Sequence, residues 1–465
     1  MEEKVMLNEQ IHSNVKKLMP SLLILFVLSN LMVQAFVTVS PLIATNFNIS
    51  ASTASIQATI TTITLGVCSV IYGTLSDYIP VKKLLIFGIS VLSFGSILGF
   101  VFQGNYGMIV VARAVQTMGQ AAISSLYLVI ASRYLEGSTK IKYFAYFTAC
   151  FQLAQAAGVL VGGIITTYIS WQLLLLIPLC SIVFIPIVMR YTPVEEQGER
   201  KKVDFIGLVL FSGMIVLLTL FVDGLRVPYL IGMFALTLIF LFYISRNQQA
   251  FITPQFFKEN KRYFRALYMV ISIYLVQFAF SFVSTFVVTD GYQEPLSLVS
   301  YILLPAYIAA AIIGGIGDKI TNKLGRFNTI LLGISLITAG LLIAGVFITQ
   351  GKIILSISGI LFFVGFNTLY SPLLDTVTGT LPSNELGRGI GLNDLSINIS
   401  GSLGVAICGK LIASKAADKI NLLSTPQNLR TFQTIFFLLS IVGILAIVFF
   451  QFNKNKLKVV QKKDA

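Results

Sequence analysis

The sequence predicts an all-α integral membrane protein with fourteen membrane-spanning helices: two six-helix bundles and a helix pair inserted between them. Three observations predict it. First, the 465 residues are 56% hydrophobic and only 11% charged, with a mean hydropathy of +0.85. A soluble protein of this length cannot hide so much apolar surface, so lipid is the solvent. Second, the apolar residues fall in long runs, and about 20 residues suffice to span a bilayer. Third, a polar turn recurs. Gly73-Thr-Leu-Ser-Asp77-Tyr-Ile-Pro-Val-Lys82-Lys83 and Gly314-Gly-Ile-Gly-Asp318-Lys-Ile-Thr-Asn-Lys323 share Gly, Asp and Lys at one spacing, 241 residues apart, and Arg326 follows the second. A turn repeated in equivalent places implies two related halves. In a membrane protein that is the plan of a secondary transporter.

A charged cytoplasmic tail, residues 1–17, opens the chain. The apolar run after it, 18–44, is too long for a signal-peptide core of about 7–15 residues and reads as an uncleaved span. It begins a six-helix bundle over 18–189, with further spans near 55–76, 84–103, 106–132, 142–167 and 172–189. A Glu- and Lys-rich cytoplasmic linker, 190–204, leads to the inserted pair, 205–244, with spans near 205–222 and 227–244. A second linker, 245–264, precedes the last bundle, 265–452, with spans near 265–289, 297–317, 327–349, 353–375, 388–413 and 431–452. A basic cytoplasmic tail, 453–465, closes the chain. The segment 414–431 is the only long outer loop, and no fold is assigned to it.

Charge placement tests this count. With the N-terminus inside, 26 of the 33 Lys and Arg fall in cytoplasmic loops and tails. Six fall outside (Arg226, Lys352, Lys410, Lys415, Lys419, Arg430), and Arg113 lies within a helix. That asymmetry obeys the positive-inside rule, and one helix more or fewer would destroy it downstream. The net charge of +14 is spread over short loops rather than gathered in a patch, which argues against nucleic acid as a partner. The four cysteines lie within apolar runs without disulfide or zinc spacing, and the single histidine, His12, sits in the polar tail. No metal, no cofactor and, without a Gly-x-x-x-x-Gly-Lys-Ser/Thr loop, no ATP site is expected. The expected partners are membrane lipid, protons and a small hydrophobic substrate, with the chain acting as a monomer.

The candidate residues follow from the cost of polar groups in lipid. Gly73, Asp77, Lys82, Lys83 and their counterparts Gly314, Asp318, Lys323 and Arg326 are expected to form a conformational gate. In it, glycine permits close helix approach and the basic residues face the inner leaflet. Arg113 is the only basic residue well inside a helix. Unpaired, it would cost roughly 2.5–3.5 kcal/mol, so it must face the interior, with Gln116 and Gln120 on its face. Gln152 and Gln155 share a face of the fifth helix with Gly158, Gly162 and Gly163, the glycines allowing tight packing and the amides pointing inward. The ninth helix puts Tyr274, Gln277, Phe278, Ser281 and Phe282 on one side, and Tyr301 and Tyr307 follow in the tenth. The substrate path is assigned to Gln34, Gln116, Gln120, Gln152, Gln155, Tyr274, Gln277, Phe278 and Tyr370. Proton coupling is assigned to Arg113, Asp375 and Asp394, although either aspartate can instead pair with Arg388.

These residues resemble the major facilitator superfamily, in particular its fourteen-helix drug:proton antiporters, over essentially the whole chain. Gly73 to Lys83 resembles that family's loop signature between helices two and three. Arg113-Ala-Val-Gln116 resembles its helix-four signature, and Gly158-Val159-Leu-Val-Gly162-Gly163 its helix-five antiporter signature. Tyr370-Ser-Pro-Leu-Leu-Asp375 is similar to a helix-twelve segment of staphylococcal multidrug exporters. Leu75 to Ile86 and Gly162 to Trp171 resemble Gram-positive tetracycline-efflux proteins. The resemblance implies proton-driven export of tetracycline-like or other hydrophobic compounds from a bacterial cell. A lipid, fatty-acid, peptide or other metabolite exporter is the alternative, and a membrane-embedded transferase a remote one.

The chain also departs from the pattern. Val159 stands where the signature has proline, and Gln155 where the tetracycline exporters have glutamate. Nothing acidic lies near Val33 and Gln34, and a helix-thirteen carboxylate would fall near Gly401. No helix carries an acidic residue in its middle third, which weighs against a polycationic substrate and leaves proton coupling to Asp77, Asp375 or Asp394.

Overall fold

The computed structural model describes residues 2–76, 79–135, 137–165, 168–193, 204–224, 227–247, 250, 254–378, 380–381, 386–414, 418, 420, 423, 425–426 and 427–454. All the regular structure among them is helical. The first half contains α1 (Glu2–Thr38), α2 (Ala51–Leu75), α3 (Val81–Val101), α4 (Tyr106–Tyr134), α5 (Gly137–Leu160) and α6 (Trp171–Tyr191). The inserted pair is α7 (Phe205–Gly224) and α8 (Val227–Arg246). The second half contains α9 (Lys261–Gly291), α10 (Ser297–Leu324), α11 (Arg326–Val346), α12 (Lys352–Thr378), α13 (Leu386–Ser414) and α14 (Gln427–Asn453). Thirteen of these are long and apolar enough to cross a membrane. The other, α7, has 20 residues, about 30 Å of helix, with its apolar part described over Val209–Leu218.

Packing follows the repeat. Within the first half α1 packs on α5, α3 on α4 and α6, and α2 on α4. Within the second, α9 packs on α13, α11 on α12 and α14, and α10 on α12. Each contact recurs eight helices later. Close approach depends on paired glycines: Gly88 faces Gly119 between α3 and α4, and Gly333 faces Gly365 between α11 and α12. A Cβ at any of the four would press on the facing backbone. The two halves meet along two seams that exchange under the same symmetry, α2 with α13 and α5 with α10. Helix α7 lies against α2 and α13 and carries α8 on its far side, where Phe211 packs against Phe240. The inserted pair therefore sits outside the pseudo-symmetric core.

Several helices bend where backbone hydrogen bonding is interrupted. After Thr38, α1 gives way to a short helix, Ser40–Asn46, in which Pro41 cannot donate. At this bend the Phe36 carbonyl accepts from Ser40 Oγ at 3.0 Å and from Gln57 Nε2 of α2 at 3.0 Å. Helix α5 ends in a π-turn, Val161–Ile165. Helix α9 breaks after Tyr274, resumes at Gln277 and ends in a second π-turn, Val287–Gly291. Helix α6 winds as a 3-10 helix over Trp171–Phe184 before becoming α-helical. Such interruptions change which face of a helix meets the seam.

Candidate site: an uncharged cavity between the halves

A narrow cavity lies where α1, α5, α9, α10 and α12 converge. It is lined by Gln34, Phe151, Gln152, Gln155, Gln277, Phe278, Ser281, Tyr307, Phe363 and Phe366. Its enclosed space is only about 10 Å³, room for about one water, so a drug-sized ligand enters only when the helices separate. Aromatic rings form the walls: Tyr307 packs on Phe363 with centroids 4.4 Å apart, and Phe366 meets Tyr274 edge-on at 5.5 Å. No described lining residue carries a charge.

Polar groups are set into these walls from both halves. Ser281 Oγ and Tyr307 Oη share a hydrogen bond at 2.9 Å. Gln152 Nε2 of α5 donates to Asn367 Oδ1 of α12 at 2.8 Å, a single amide bridge across the halves. It lies about one turn from Gln155 and Phe363, on the side nearer the repeated turns. On the opposite side, Ser300 Oγ of α10 donates to the Val159 carbonyl of α5 at 2.7 Å. Gln34 and Gln155 are 1% and 4% exposed, yet Gln34 Nε2 and Gln155 Oε1 have no hydrogen-bond partner among the described residues.

Of the residues expected on the substrate path, Gln34, Gln152, Gln155, Gln277 and Phe278 line this cavity. Gln116 and Gln120 do not. Gln116 Nε2 donates to Ser96 Oγ at 3.0 Å and to the Leu175 carbonyl at 3.2 Å, deep in the first bundle. Gln120 Nε2 donates to Asn30 Oδ1 at 3.0 Å between α4 and α1. Both are interior, as their polarity requires, but inside one half rather than between two. Tyr274 and Tyr370 stand behind the wall, within electrostatic reach of Asp394. Phe151, Phe363 and Phe366 line the cavity without having been singled out. The signal for the last two was the i, i+3, i+4, i+7 face Phe363, Phe366, Asn367, Tyr370, on which an amide interrupts aromatics.

Arg113 is 1% exposed and makes no ion pair among the described residues. Its Nη1 donates to Gln116 Oε1 at 2.8 Å and its Nη2 to the Met32 carbonyl at 3.3 Å. The guanidinium lies 4.2 Å over the Phe36 ring, and Nε is left without a partner. The cation thus ties α4 to the outer part of α1 through backbone, amide and ring. Asp394 is half-buried on α13, with Asn393 Nδ2 at 3.5 Å from Oδ1. Asp375 is exposed and pairs with Arg326 Nη2, and the side chain of Arg388 lies outside the described residues.

The expected gate residues lie at the two repeated turns. Gly73 is half-buried near Ser125, and Lys82 and Lys83 open α3. Arg133, at the end of α4, donates to the Ser76 carbonyl at 2.9 Å. At the second turn Asp375, at the end of α12, holds Arg326, so each half pins its fourth helix to its repeated turn. Lys323 is exposed, and Gly325, with φ +79°, lets the chain turn from α10 into α11. Asp77 and the side chain of Asp318 lie outside the described residues. A Cβ at Gly314 would meet Asn367 at 3.4 Å, while Gly315 and Gly317 have nothing within 4 Å. Gly314 and Gly315 are exposed in this conformation, and Gly317 is buried. The α5 glycines are packed: Gly158 lies against the Leu31 carbonyl and Gly162 against Ala35, both on α1, and Gly163 against Ser300.

Comparison with known proteins agrees with this architecture. Residues 22–405 match the sequence model of the Major Facilitator Superfamily. The chain is 25% identical over 399 residues to the quinolone resistance protein NorB of Staphylococcus aureus strain MSSA476, covering 82% of this chain and 85% of that one. The same figures hold for the protein of that name in strain JH9. Among solved structures the fold is similar to the POT family transporter PepTSo, with TM-score 0.68 at 14% identity, covering 96% of this chain and 99% of that one. A second POT family transporter, solved with a thioalcohol-conjugated peptide, aligns with TM-score 0.66 at 14% identity, covering 96% of each chain.

Proposed function

The chain belongs to the Major Facilitator Superfamily, and from that premise we propose that it exports small hydrophobic or amphipathic compounds in exchange for protons. Family membership makes it a multi-pass membrane transporter rather than an enzyme. The observation that carries the finer reading is the cavity, which lies between the halves, is walled by aromatic rings and contains uncharged polar groups. Rings and amides bind an amphipathic molecule without demanding a fixed charge. Rocking of the halves about this cavity exposes it to alternate sides.

The drug-export reading is supported by relatives named for quinolone resistance and by the resemblance to tetracycline exporters. The basic loops support a reading with both termini on the cytoplasmic side, in which export runs toward the face bearing the Ser40–Asn46 helix. Asp394, close to Tyr263, Tyr274 and Tyr370, is the carboxylate best placed to exchange protons, and Arg113 holds α1 to α4 beside the path. The protein works as a monomer in lipid.

The test is accumulation in efflux-deficient cells of tetracycline, a fluoroquinolone, a quaternary ammonium dye and an unsaturated fatty acid, with and without a protonophore. Lower accumulation of a drug, reversed by the protonophore, is the expected result. No change for any drug, with lower fatty acid, would replace drug export with lipid export.

A further inference from the structure

We infer that the cavity selects ligands that carry a hydrogen-bond donor beside an acceptor on an uncharged aromatic body, and that it discriminates against permanent cations. This rests on the export reading of the same cavity and names its substrate class.

The argument starts from two amide ends. Gln34 Nε2 and Gln155 Oε1 are buried, lack a hydrogen-bond partner among the described residues and belong to side chains that line the cavity. They are also neighbours. A Cβ on Gly158 would come within 2.9 Å of the Gln34 Cβ, and Gln155 lies one turn from Gly158 on the same helix. A donor from α1 and an acceptor from α5 therefore open side by side. In this arrangement the free ends are one donor and one acceptor, and rotating both amides together exchanges their roles and keeps the pair complementary to a ligand donor beside an acceptor. Buried amides with unmade bonds are costly, and a ligand offering the complementary pair removes that cost.

The second half of the argument is charge. Four phenylalanines, Tyr307 and neutral polar groups surround the two amides, and no described lining residue is acidic. A quaternary ammonium group would gain cation–π contact with the ring faces but would lose its whole hydration with no counter-charge, which costs more. A neutral aromatic amide loses little and gains two hydrogen bonds.

The test is calorimetric titration of the purified full-length protein in lipid nanodiscs, with no gradient. Three probes share one fused ring: 2-naphthamide, N,N-dimethyl-2-naphthamide and 2-naphthyltrimethylammonium. 2-Naphthamide is expected to bind about tenfold tighter than its dimethyl analogue, which has lost the donor, and the ammonium probe weakest of all. Gln155→Leu should bring the two amides within about twofold while the dimethyl compound keeps its affinity, and Gln34→Leu, which removes the donor to the carbonyl both amides share, should weaken both and keep their ratio. Gln155→Glu should make the ammonium probe the preferred one. Equal wild-type affinities for the two amides, a tenfold margin unchanged in Gln155→Leu, or no binding of 2-naphthamide would each overturn the inference. Thermal melts check that each variant folds, and the wild-type probe series decides by itself if one does not. Because binding is read without transport, export with no amide preference would sink this inference alone. Amide preference without export would sink the export reading alone.

Discussion

The amide bridge between Gln152 and Asn367 offers a quantitative handle on alternating access. It is a neutral side-chain bond at 2.8 Å joining α5 of one half to α12 of the other. Both residues are half-buried, so either amide, once unpaired, can turn to water and escapes a full burial penalty. Gln152→Leu or Asn367→Leu therefore removes a net contribution of about 1 kcal/mol from the closed arrangement. If the bridge exists only when the cavity is shut on that side, the open population rises about fivefold, since 1 kcal/mol is about 1.7 RT. The assay is electron–electron double resonance between spin labels at the exposed Lys83 and Lys319, in a background with the four native cysteines replaced. Each single substitution should increase the long-distance population about fivefold, and the double substitution should add nothing further, because both remove one bond. Additive shifts, or no shift in either variant, would show that the bridge does not report closure.

Other outcomes follow from the same contacts. Gly158→Leu should destabilise the fold by about 1–3 kcal/mol or more, because its Cβ runs into the Leu31 carbonyl. Gly315→Leu meets nothing within 4 Å and should melt like the wild type yet transport poorly if α10 must be covered in another state. Thermal melts and transport rates on both variants separate the two effects. Arg113→Lys keeps the charge but not the planar fork that reaches Gln116 and Met32, and transport should fall at least about tenfold with folding intact. An Arg113→Met variant that transports normally would remove Arg113 from the mechanism. Asp394→Asn should abolish uphill transport while sparing downhill exchange. Asp375→Asn, which breaks an exposed ion pair with Arg326 worth about 0–1 kcal/mol, should change transport less than about twofold. Uphill pumping by Asp394→Asn at full rate would end its assignment.

The helices and the two-half plan were readable because lipid allows few alternatives. Each apolar run must close its own hydrogen bonds, and the Gly-Asp-Lys turn marks the repeat without reference to tertiary contacts. The eightfold shift in packing, down to Gly88–Gly119 and Gly333–Gly365, is the structural form of that turn pattern. The site was half readable. The rule that amides in lipid point inward found Gln34, Gln152, Gln155 and Gln277. The same rule cannot separate the interior of one bundle from the seam between two, which is why Gln116 and Gln120 belong to the scaffold. Phe151, Phe363 and Phe366 gave little signal among 36 phenylalanines, since a ring facing a cavity and one facing lipid look alike in a sequence. The partner of Asp375 was not readable either. Arg326 reaches it from another helix, 49 positions back along the chain. The bends at Thr38, Tyr274 and Val161 aim the lining residues, and of these only the first has a proline beside it.

The central claim is that substrate passes through the cavity between the halves, driven by protons. It is tested most directly in proteoliposomes with an imposed pH gradient, using the compound with the largest effect in the cell panel. Wild-type protein should accumulate it against its gradient, and collapsing the pH difference should stop accumulation. Gln155→Trp, which overfills this narrow cavity, should lose about 1–3 kcal/mol of stability, remain folded and transport nothing. Transport by Gln155→Trp at the wild-type rate would place the pathway elsewhere and contradict the account.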